Sequence, residues 1–464
     1  MIHKSKDTIF ALSSPWGMSA ISVIRISGQK SLSVLLKLCK RPKLKPRFLY
    51  YSNIYDENEL VIDKSVIIFF KGPKSFTGED MIELHVHGGK AVISKILDTL
   101  EKISDLRSAE PGEFCKKAFF NRKIGLIEAQ GINQLILSET EQQRKAAVDQ
   151  SFGNLSTVFL EWKKKLLEIS AILDAQIEFA DEDENIINST TKKSIKNLIK
   201  ELINTYNISR SSKQIVDGTN ILIFGPPNAG KSSLFNLINQ EEKSITTNIE
   251  GTTRDLIYSS IDIRGFKTTF VDSAGLREPK DQVEKIGVFK TRGKIKSTGQ
   301  LMLVLSPDSL NQRNASFLNK TLNKLNNKNI FIVFNKTDLD FEKKQKNNWQ
   351  KKVPKLMDYP SYTISSLFFK NDHKMYEKFI SFIVKHIIKV DNELNENYFF
   401  SETRQIEHLK KTITFLKSAL NVSYEIELCS EELRLASKEL EKINGNIDYE
   451  NKLDIIFKKF CIGK

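Results

Sequence analysis

Three short segments carry residue types that bind and hydrolyse a nucleoside triphosphate. The first, ILIFGPPNAGKSSLFNLI, places Gly225, Gly230, Lys231 and Ser232 at P-loop spacing, after an apolar run and before a helical pattern. In such a loop, backbone N–H groups surround phosphate oxygens, the lysine reaches the β- and γ-phosphates, and the hydroxyl binds Mg²⁺. The segment therefore predicts a triphosphate site.

The other two segments predict that the nucleotide is guanine. In FVDSAG, Asp272 offers a carboxylate to the Mg²⁺ shell and Gly275 an N–H to the γ-phosphate, whereas Asp338 of FNKTD can accept hydrogen bonds from guanine N1–H and its exocyclic amine. This order of motifs is that of a GTPase. The predicted GTP-contacting residues are Gly225, Asn228, Ala229, Gly230, Lys231, Ser232, Ser233, Thr247, Asn248, Ile249, Glu250, Gly251, Thr252, Thr253, Asp272, Ser273, Ala274, Gly275, Asn335, Lys336, Asp338 and Ser365.

Two features between and after these motifs concern hydrolysis. TTNIEGTTRD lies where a switch loop belongs, and Thr252 or Thr253 there can complete the Mg²⁺ shell. After DSAG stands Leu276, where Ras-like enzymes have a glutamine that orients the attacking water. Hydrolysis must then use another residue or be negligible. Spacing leaves four charged residues as alternatives: Arg277, Glu278, Asp281 and Glu284.

The bulk composition limits the classes of protein that fit. The 464 residues predict two or three domains, and 40% hydrophobic content excludes wholesale disorder. Lys+Arg of 71 against Asp+Glu of 57 gives +14, which favours a polyanionic partner or solvated basic helices. The four cysteines form no CxxC pair, and no apolar run has the length of a membrane helix. With no signal-like start, we expect a cytoplasmic protein that does not bind membranes.

Three sequence patterns, one of which occurs twice along the chain, predict the elements that position these residues. Up to about residue 122, β-like runs alternate with helical stretches, which predicts an α+β or α/β domain. From about 124 to 212 the apolar residues recur at helical spacing, and this texture returns after about 391. Between them, apolar runs separated by helices predict a mostly parallel sheet with helices on both faces. The simplest architecture is a helical domain interrupted by an inserted α/β domain.

Motifs along nearly the whole chain resemble the MnmE (TrmE) family of tRNA-modification GTPases. They are DTIFA, VIRISG, SFTGEDMIELHVHGG, AEPGEFCKKAFFNRKIGLIEAQ, GPPNAGKSSLFN, GTTRD, VEKIG, LRLASKELEKINGN and the terminal FCIGK. The resemblance implies a multidomain α/β and all-α protein. Residues 1–122 are expected to form a tetrahydrofolate-binding and dimerisation domain, 123–214 with 391–464 a discontinuous helical domain, and 215–390 an inserted Ras-like GTPase domain.

The resemblance also implies an activity and partners. Family members act with the FAD-dependent protein MnmG (GidA), here expected in a heterotetramer, and install an aminomethyl or carboxymethylaminomethyl group on C5 of the wobble uridine of certain tRNAs. The expected cofactors are GTP, Mg²⁺, K⁺ and 5-formyl- or methylene-tetrahydrofolate. The expected assembly is a homodimer through the N-terminal domain, with transient potassium-dependent dimerisation of the GTPase domains.

Individual roles follow from the same resemblance. For GTP hydrolysis it assigns K⁺ to Asn228, Thr247, the Ile249 carbonyl and Thr252, Mg²⁺ to Ser232 and Thr253, and the water-orienting role to Glu284. Folate binding falls on Arg25, Glu83, Lys123 and Lys464. Cys461 of the terminal CIGK is read as a catalytic thiol in tRNA modification.

Two other functional classes are weighed against this interpretation. A GTPase switch in ribosome assembly would share the nucleotide motifs and the basic charge, but it would not explain CIGK or a GTPase domain inserted within helices. A scaffold that binds folate and GTP without turnover would fit the loss of Asn228, Glu284 or Cys461, yet all three are present.

Overall fold

The computed structural model describes residues 7–178, 187–241, 244–245, 257–272, 299–325, 329–338, 342–367, 373–388, 399–445 and 450–463. The chain divides into two compact units. Unit 1 comprises residues 1–136, 148–203 and 407–464, and unit 2 comprises residues 137–147 and 204–406. Within the described ranges, none of the helices combines the length and the apolar character that crossing a membrane requires.

Unit 1 begins with a six-stranded sheet of order β3-β4-β5-β2-β1-β6. Its strands are β1 (Thr8–Leu12), β2 (Ser19–Ser27), β3 (Leu49–Tyr55), β4 (Val61–Phe70), β5 (Met81–Gly88) and β6 (Leu106–Ser108), and its helices are α1 (Ser31–Cys39), α2 (Lys90–Glu101) and α3 (Glu113–Phe120). Neighbouring strands are antiparallel except β1 and β6, which are parallel. The sequence left two classes open for this domain, α+β and α/β. The observed sheet is mixed, because it contains both antiparallel and parallel pairs.

Alternation along β2 shows how this sheet is built. Ile24 and Ile26 are buried in the core beneath α1 and α2, whereas Arg25 lies on the opposite face.

Four helices follow the N-terminal sheet: α4 (Leu126–Leu137), α5 (Glu141–Ser151), α6 (Asn154–Glu178) and α7 (Ser189–Asp217). The predicted helical texture after residue 124 is therefore confirmed.

Unit 2 contains a seven-stranded sheet of order β13-β12-β11-β7-β10-β9-β8. The strands are β7 (Thr219–Phe224), β8 (Ser244–Ile245), β9 (Ile257–Ile263), β10 (Phe266–Asp272), β11 (Gln300–Leu305), β12 (Ile330–Phe334) and β13 (Ser361–Thr363), and the helices are α8 (Lys231–Glu241), α9 (Gln312–Leu325), α10 (Glu342–Lys352) and α11 (His373–Ile383). From β13 to β10 all neighbours are parallel, and β9 and β8 extend the sheet in antiparallel fashion.

The central strands are buried on both faces, which explains their continuous apolar runs. Ile221 and Ile223 of β7 join one hydrophobic cluster with residues of α8 and α11, while Leu222 and Phe224 join another with residues of α9 and α10. A mostly parallel sheet with helices on both faces was predicted, and it is confirmed.

Three helices follow in the last part of the chain, α12 (Thr403–Asn421), α13 (Ile426–Ile443) and α14 (Glu450–Phe457). Within unit 1, α13 packs against α6, where Lys163 and Glu441 form an ion pair at 2.6 Å and Ser430 donates to Asp174 at 3.0 Å. Helices from both sides of the α/β region therefore pack together, as predicted for an interrupted helical domain. The three-domain boundaries stay a prediction, and the one at 390/391 lies outside the described residues.

Candidate functional site

The P-loop connects β7 to α8 in unit 2, and close backbone approaches fix its shape. Gly225 has φ +148°, and a Cβ there would lie 2.2 Å from the Val304 carbonyl oxygen. Gly230 has φ +87°, and its Cβ would lie 2.2 Å from Nδ2 of Asn335. Only glycine fits such positions, because any side chain would meet both a clash and an unfavourable backbone conformation. The motif's two glycines are therefore explained by geometry.

The lysine of the loop is directed into it. Lys231 is buried, and its Nζ donates to the carbonyl oxygens of Gly225 and Pro226 at 3.1 and 2.9 Å. Ser232 and Ser233 are exposed on the first turn of α8. The arrangement places an ammonium, hydroxyls and the N-terminus of a helix around one concave loop, which is the chemistry that a polyphosphate requires.

Asn335 joins the P-loop to the end of a neighbouring strand. Its buried side chain donates from Nδ2 to the Ala229 carbonyl at 3.1 Å. Its Oδ1 accepts from the backbone N–H and hydroxyl of Ser366 at 3.1 and 2.7 Å. One amide thus holds the loops that follow β7 and β13 together, and this is a structural role for a residue expected to contact GTP.

Two further contacts order the residues after β12. The Ser365 hydroxyl donates to Oδ1 of Asp338 at 2.5 Å, which brings together two predicted GTP-contacting residues. Lys336 has a left-handed backbone with φ 59°, and its Nζ lies 2.6 Å from Oδ2 of Asp308. The hydrogen bond from Lys336 lowers the pKa of Asp308. The Asp338 carboxylate is exposed, so its second oxygen can meet a ligand.

A second polar site lies on the sheet of unit 1. Arg25 of β2 and Glu83 of β5 are opposite each other in register, and Nη2 of the arginine lies 2.7 Å from Oε1 of the glutamate. The guanidinium also lies 5.8 Å from the ring centroids of Phe76 and Phe114. Burial raises the pKa of Glu83, but hydrogen bonding and charge from Arg25, with a smaller effect of His85, outweigh it and lower the pKa.

The C-terminal tail reaches this polar site within unit 1. The Gly463 carbonyl oxygen accepts from Nη1 of Arg25 at 3.2 Å and from the Ser13 hydroxyl at 3.0 Å. The Gly112 N–H donates to the Cys461 carbonyl oxygen at 3.3 Å. Cys461 is half-buried, and two peptide units separate it from Gly463, a span of at most about 7 Å. The backbone of Cys461 therefore lies near the Arg25–Glu83 pair.

Comparison with known proteins finds relatives that match almost the full length of this chain. Residues 8–123 match the model of the GTP-binding protein TrmE N-terminus, and residues 126–461 match that of the MnmE helical domain. The tRNA modification GTPase MnmE of Rickettsia bellii is 36% identical over 467 residues, which cover 99% of this chain and 100% of the relative. The chain belongs to the MnmE family of tRNA modification GTPases. The corresponding proteins of Rickettsia typhi and Bartonella henselae are also 36% identical, again over 99% of this chain and 100% of each relative.

The resemblance inferred from the motifs is therefore confirmed, together with the fold class and the enzyme class of a GTPase in tRNA modification. Several residues assigned to the MnmE-type sites lie outside the described residues, and their roles stay predictions. They are Thr247, Asn248, Ile249, Glu250, Gly251, Thr252, Thr253, Ser273, Ala274, Gly275, Glu284 and Lys464. Asp272 ends β10 in register with Ile223 of β7, next to the P-loop strand.

Two of the predicted residues are exposed and form no hydrogen bond or ion pair with another predicted site residue among those that the structure describes. Lys123 follows α3 and is exposed, with its alkyl chain beside Gly78, and it forms no hydrogen bond or ion pair with Arg25 or Glu83 in the part of the chain described. Asn228 is exposed in the P-loop with φ 62°. Neither position contradicts a ligand-binding role, because both side chains face outward.

Sequence reasoning missed three residues that hold these candidate sites together. Asp308 and Ser366 hold Lys336 and Asn335, and Ser13 holds the tail. A signal existed for the first two, since they follow β11 and β13, which flank β12, and ligand sites gather where parallel strands end. Ser13 gave no such signal, because its partner lies 450 residues away in sequence.

Proposed function

We propose that this chain is a potassium-dependent GTPase whose nucleotide cycle drives modification of the wobble uridine of certain tRNAs. The observation that carries the GTPase part is the buried Asn335 amide, which ties a glycine-shaped P-loop to the loop after β13. Such a bridge couples the phosphate site to the base site. Together, the two sites would recognise a complete nucleoside triphosphate.

The base site favours guanine. Asp338 would accept hydrogen bonds from N1–H and the exocyclic amine, an edge that adenine lacks. The Ser365 hydroxyl supports one carboxylate oxygen, which leaves the other free to accept from the base. Lys336, held by Asp308, would lie beside the base without competing for Asp338.

The metal ions fit the residues that the loop presents. Ser232, exposed on the first turn of α8, offers a hydroxyl to Mg²⁺, with Thr253 as its proposed companion. Asn228 offers an exposed amide oxygen, a hard ligand suited to K⁺, with Thr247, the Ile249 carbonyl and Thr252. A K⁺ ion would supply positive charge where it develops between the β- and γ-phosphates. Because Leu276 cannot orient water, Glu284 is proposed for that role.

The unit 1 site fits a ligand with both polar edges and a flat ring. Glu83 stays ionised because Arg25 lowers its pKa, so it can accept from a pterin, and Arg25 lies 5.8 Å from the ring centroids of Phe76 and Phe114. Arg25, Lys123 and Lys464 would meet the ligand's carboxylates. A tetrahydrofolate bound there would supply the one-carbon unit.

We assign the modification step to this unit together with partners. The proposed partners are tRNA and the FAD-dependent protein MnmG (GidA) in a heterotetramer, and the proposed assembly is a homodimer through the N-terminal domain with transient dimerisation of the GTPase domains. The backbone of the tail is held beside Arg25, which supports the proposal that the Cys461 thiol acts on a uridine presented there. A thiolate is a strong nucleophile, which suits activation of C5 through attack on the pyrimidine ring.

The test is GTP hydrolysis in potassium chloride against sodium chloride at equal ionic strength. We expect a large acceleration confined to potassium and lost in Asn228→Ala, whereas Glu284→Ala should abolish hydrolysis in either salt. Glu278→Ala serves as the matched control and should keep the wild-type response. Equal rates of the wild type in both salts would contradict the potassium site, and ribosome binding would then be measured before tRNA modification.

A further inference from the structure

We propose that a basic and aromatic surface on the sheet of unit 1 binds RNA that carries unpaired bases. We call it the basic–aromatic strip, and it consists of residues 40–51, which form the α1–β3 connection and the start of β3, together with Lys64 of β4. The inference rests on the proposed function in tRNA modification, and it adds the surface that holds the RNA.

The first observation is charge. Residues 40–55 contain five basic residues and no aspartate or glutamate, namely Lys40, Arg41, Lys43, Lys45 and Arg47. Lys40 pairs with Glu59 at 3.0 Å, whereas the other four form no ion pair with any described residue. Their charge is therefore not neutralised by any acidic residue within the described ranges. Phosphate groups are the partners that such a cluster attracts, with release of counterions.

The second observation is that aromatic rings alternate with these cations. Phe48 and Tyr51 are 57% and 61% exposed. Nζ of Lys45 lies 5.7 Å from the ring centroid of Phe48, and Nζ of Lys64 lies 4.7 Å from that of Tyr51. Each pair offers a ring on which an unpaired base can stack and, beside it, a cation for the phosphate. Duplex RNA, whose bases are already stacked, would use only the cations.

The third observation is that the strip is held in shape. Arg47 adopts a left-handed backbone with φ 65°. Its N–H donates to the Phe69 carbonyl at 2.7 Å, and its Nη2 donates to the Lys74 carbonyl at 2.8 Å. The N–H of Lys45 donates to the Tyr50 hydroxyl at 2.9 Å. A surface already ordered loses little conformational entropy when it binds.

Strand β3 is the edge of its sheet, so a second copy of this chain is the competing occupant. A symmetric contact there would bring the uncompensated cations of two strips together, and like charges would repel. Charge complementarity therefore favours a polyanion over a second copy.

The test uses the full-length protein and a fluorescently labelled, unmodified tRNA transcript, with affinity measured by anisotropy across a salt series. Lys43→Gln/Lys45→Gln/Arg47→Gln should weaken binding about tenfold or more and lower the slope of log K against log salt by about 2, at about 0.7 per phosphate contact. The matched control is Lys410→Gln/Lys411→Gln/Lys417→Gln, which removes the same charge from exposed positions of α12 and should bind like the wild type.

A second variant tests stacking separately from charge. Phe48→Ser/Tyr51→Ser keeps every cation, and it should lower affinity for the tRNA about tenfold while leaving affinity for a blunt RNA duplex of equal length unchanged. An equal loss on both RNAs would contradict the preference for unpaired bases. The urea unfolding transitions and the GTP hydrolysis of each variant should match those of the wild type, which shows that both units remain folded.

The outcomes separate the strip from the function on which it rests. If the wild type binds tRNA and the charge variant binds it equally well, the proposed RNA-binding role of the strip is wrong, while the proposed function stands. If the wild type binds no tRNA at low salt, the proposed function itself fails. If the charge variant changes the sedimentation mass but not tRNA affinity, the surface joins two copies of the chain, and the RNA inference is overturned.

Discussion

Among single residues, Asn335 has the role that the motif describes least well. The motif suggests a contact with the base, yet in the structure both ends of the amide are used to join two loops. The residue type and its position could be predicted from sequence. Its partner Ser366 could not, because the pairing depends on how β12 and β13 align in the sheet.

Replacing this amide should weaken nucleotide binding without direct loss of a ligand contact. Asn335→Ala leaves the Ala229 carbonyl and Ser366 without their partner, at a cost of about 1–3 kcal/mol for each buried group left unpaired. We expect GTP affinity to fall about tenfold or more, since 1.4 kcal/mol corresponds to a factor of ten. Calorimetric titration with a non-hydrolysable GTP analogue measures it. Asn319→Ala, which removes a single exposed hydrogen bond to Lys352, should bind normally, and equal losses in the two variants would contradict the bridging role.

Glu83 should make the stability of unit 1 depend on pH in acid. Its pKa is lowered from the ordinary value of 4.5 in the folded state, so its stabilising effect is fully present above that value and is lost as pH falls through the folded-state pKa. Glu83→Gln should therefore reduce the free energy of unfolding by about 1.5–3 kcal/mol at neutral pH, the usual contribution of a hydrogen bond to a charged group. That difference should shrink below about pH 4.5.

Urea titrations at a series of pH values measure this difference. The exposed Glu101→Gln at the end of α2 is the control, and it should show no such dependence. A constant difference between wild type and Glu83→Gln across the acid range would contradict the ion pair with Arg25.

At the scale of elements, local pattern and long-range pairing differ in how far sequence predicts them. The helices after residue 124 and the buried strands of unit 2 follow from the periodicity of apolar residues, which is a local property. The class of the N-terminal sheet does not follow from such a local pattern, because it depends on the parallel pairing of Thr8–Leu12 with Leu106–Ser108. Nothing within either segment specifies which partner it will meet.

The docking of α14 and the tail depends on one glycine of a different element. A Cβ on Gly112, which has φ +70°, would lie 2.3 Å from the Phe457 carbonyl oxygen. Gly112→Ala should therefore displace the end of α14 and destabilise unit 1 by about 2–4 kcal/mol, from backbone strain and overpacking together. Hydrogen exchange of the amides in residues 450–463 should become faster. Gly17→Ala, whose Cβ meets nothing within 4 Å, should leave exchange unchanged, and a protected tail in Gly112→Ala would contradict the close approach.

For the whole molecule, the two units carry different chemistry. The P-loop and Asp338 belong to unit 2, whereas Cys461, Arg25 and Glu83 belong to unit 1, with residues from both ends of the chain. The insertion of one unit into the other was predictable from the return of helical texture near the C-terminus. The position where the tail docks could not be predicted from sequence, because Ser13 and Gly463 come into contact only after the whole chain has folded.

This division predicts that the two activities can be separated. Deletion of residues 461–464 removes the thiol and the carbonyl that Arg25 and Ser13 hold, but it removes nothing from unit 2. We expect the shortened chain to hydrolyse GTP at close to the wild-type rate while C5 modification, measured by mass spectrometry of tRNA nucleosides after reaction with the FAD-dependent partner, is lost. Cys461→Ser should reproduce that loss with the tail still docked, because the thiol rather than its backbone would carry the chemistry. Modification retained in Cys461→Ser but lost in the deletion would give the tail a positioning role instead, and slowed GTP hydrolysis in both would contradict the separation.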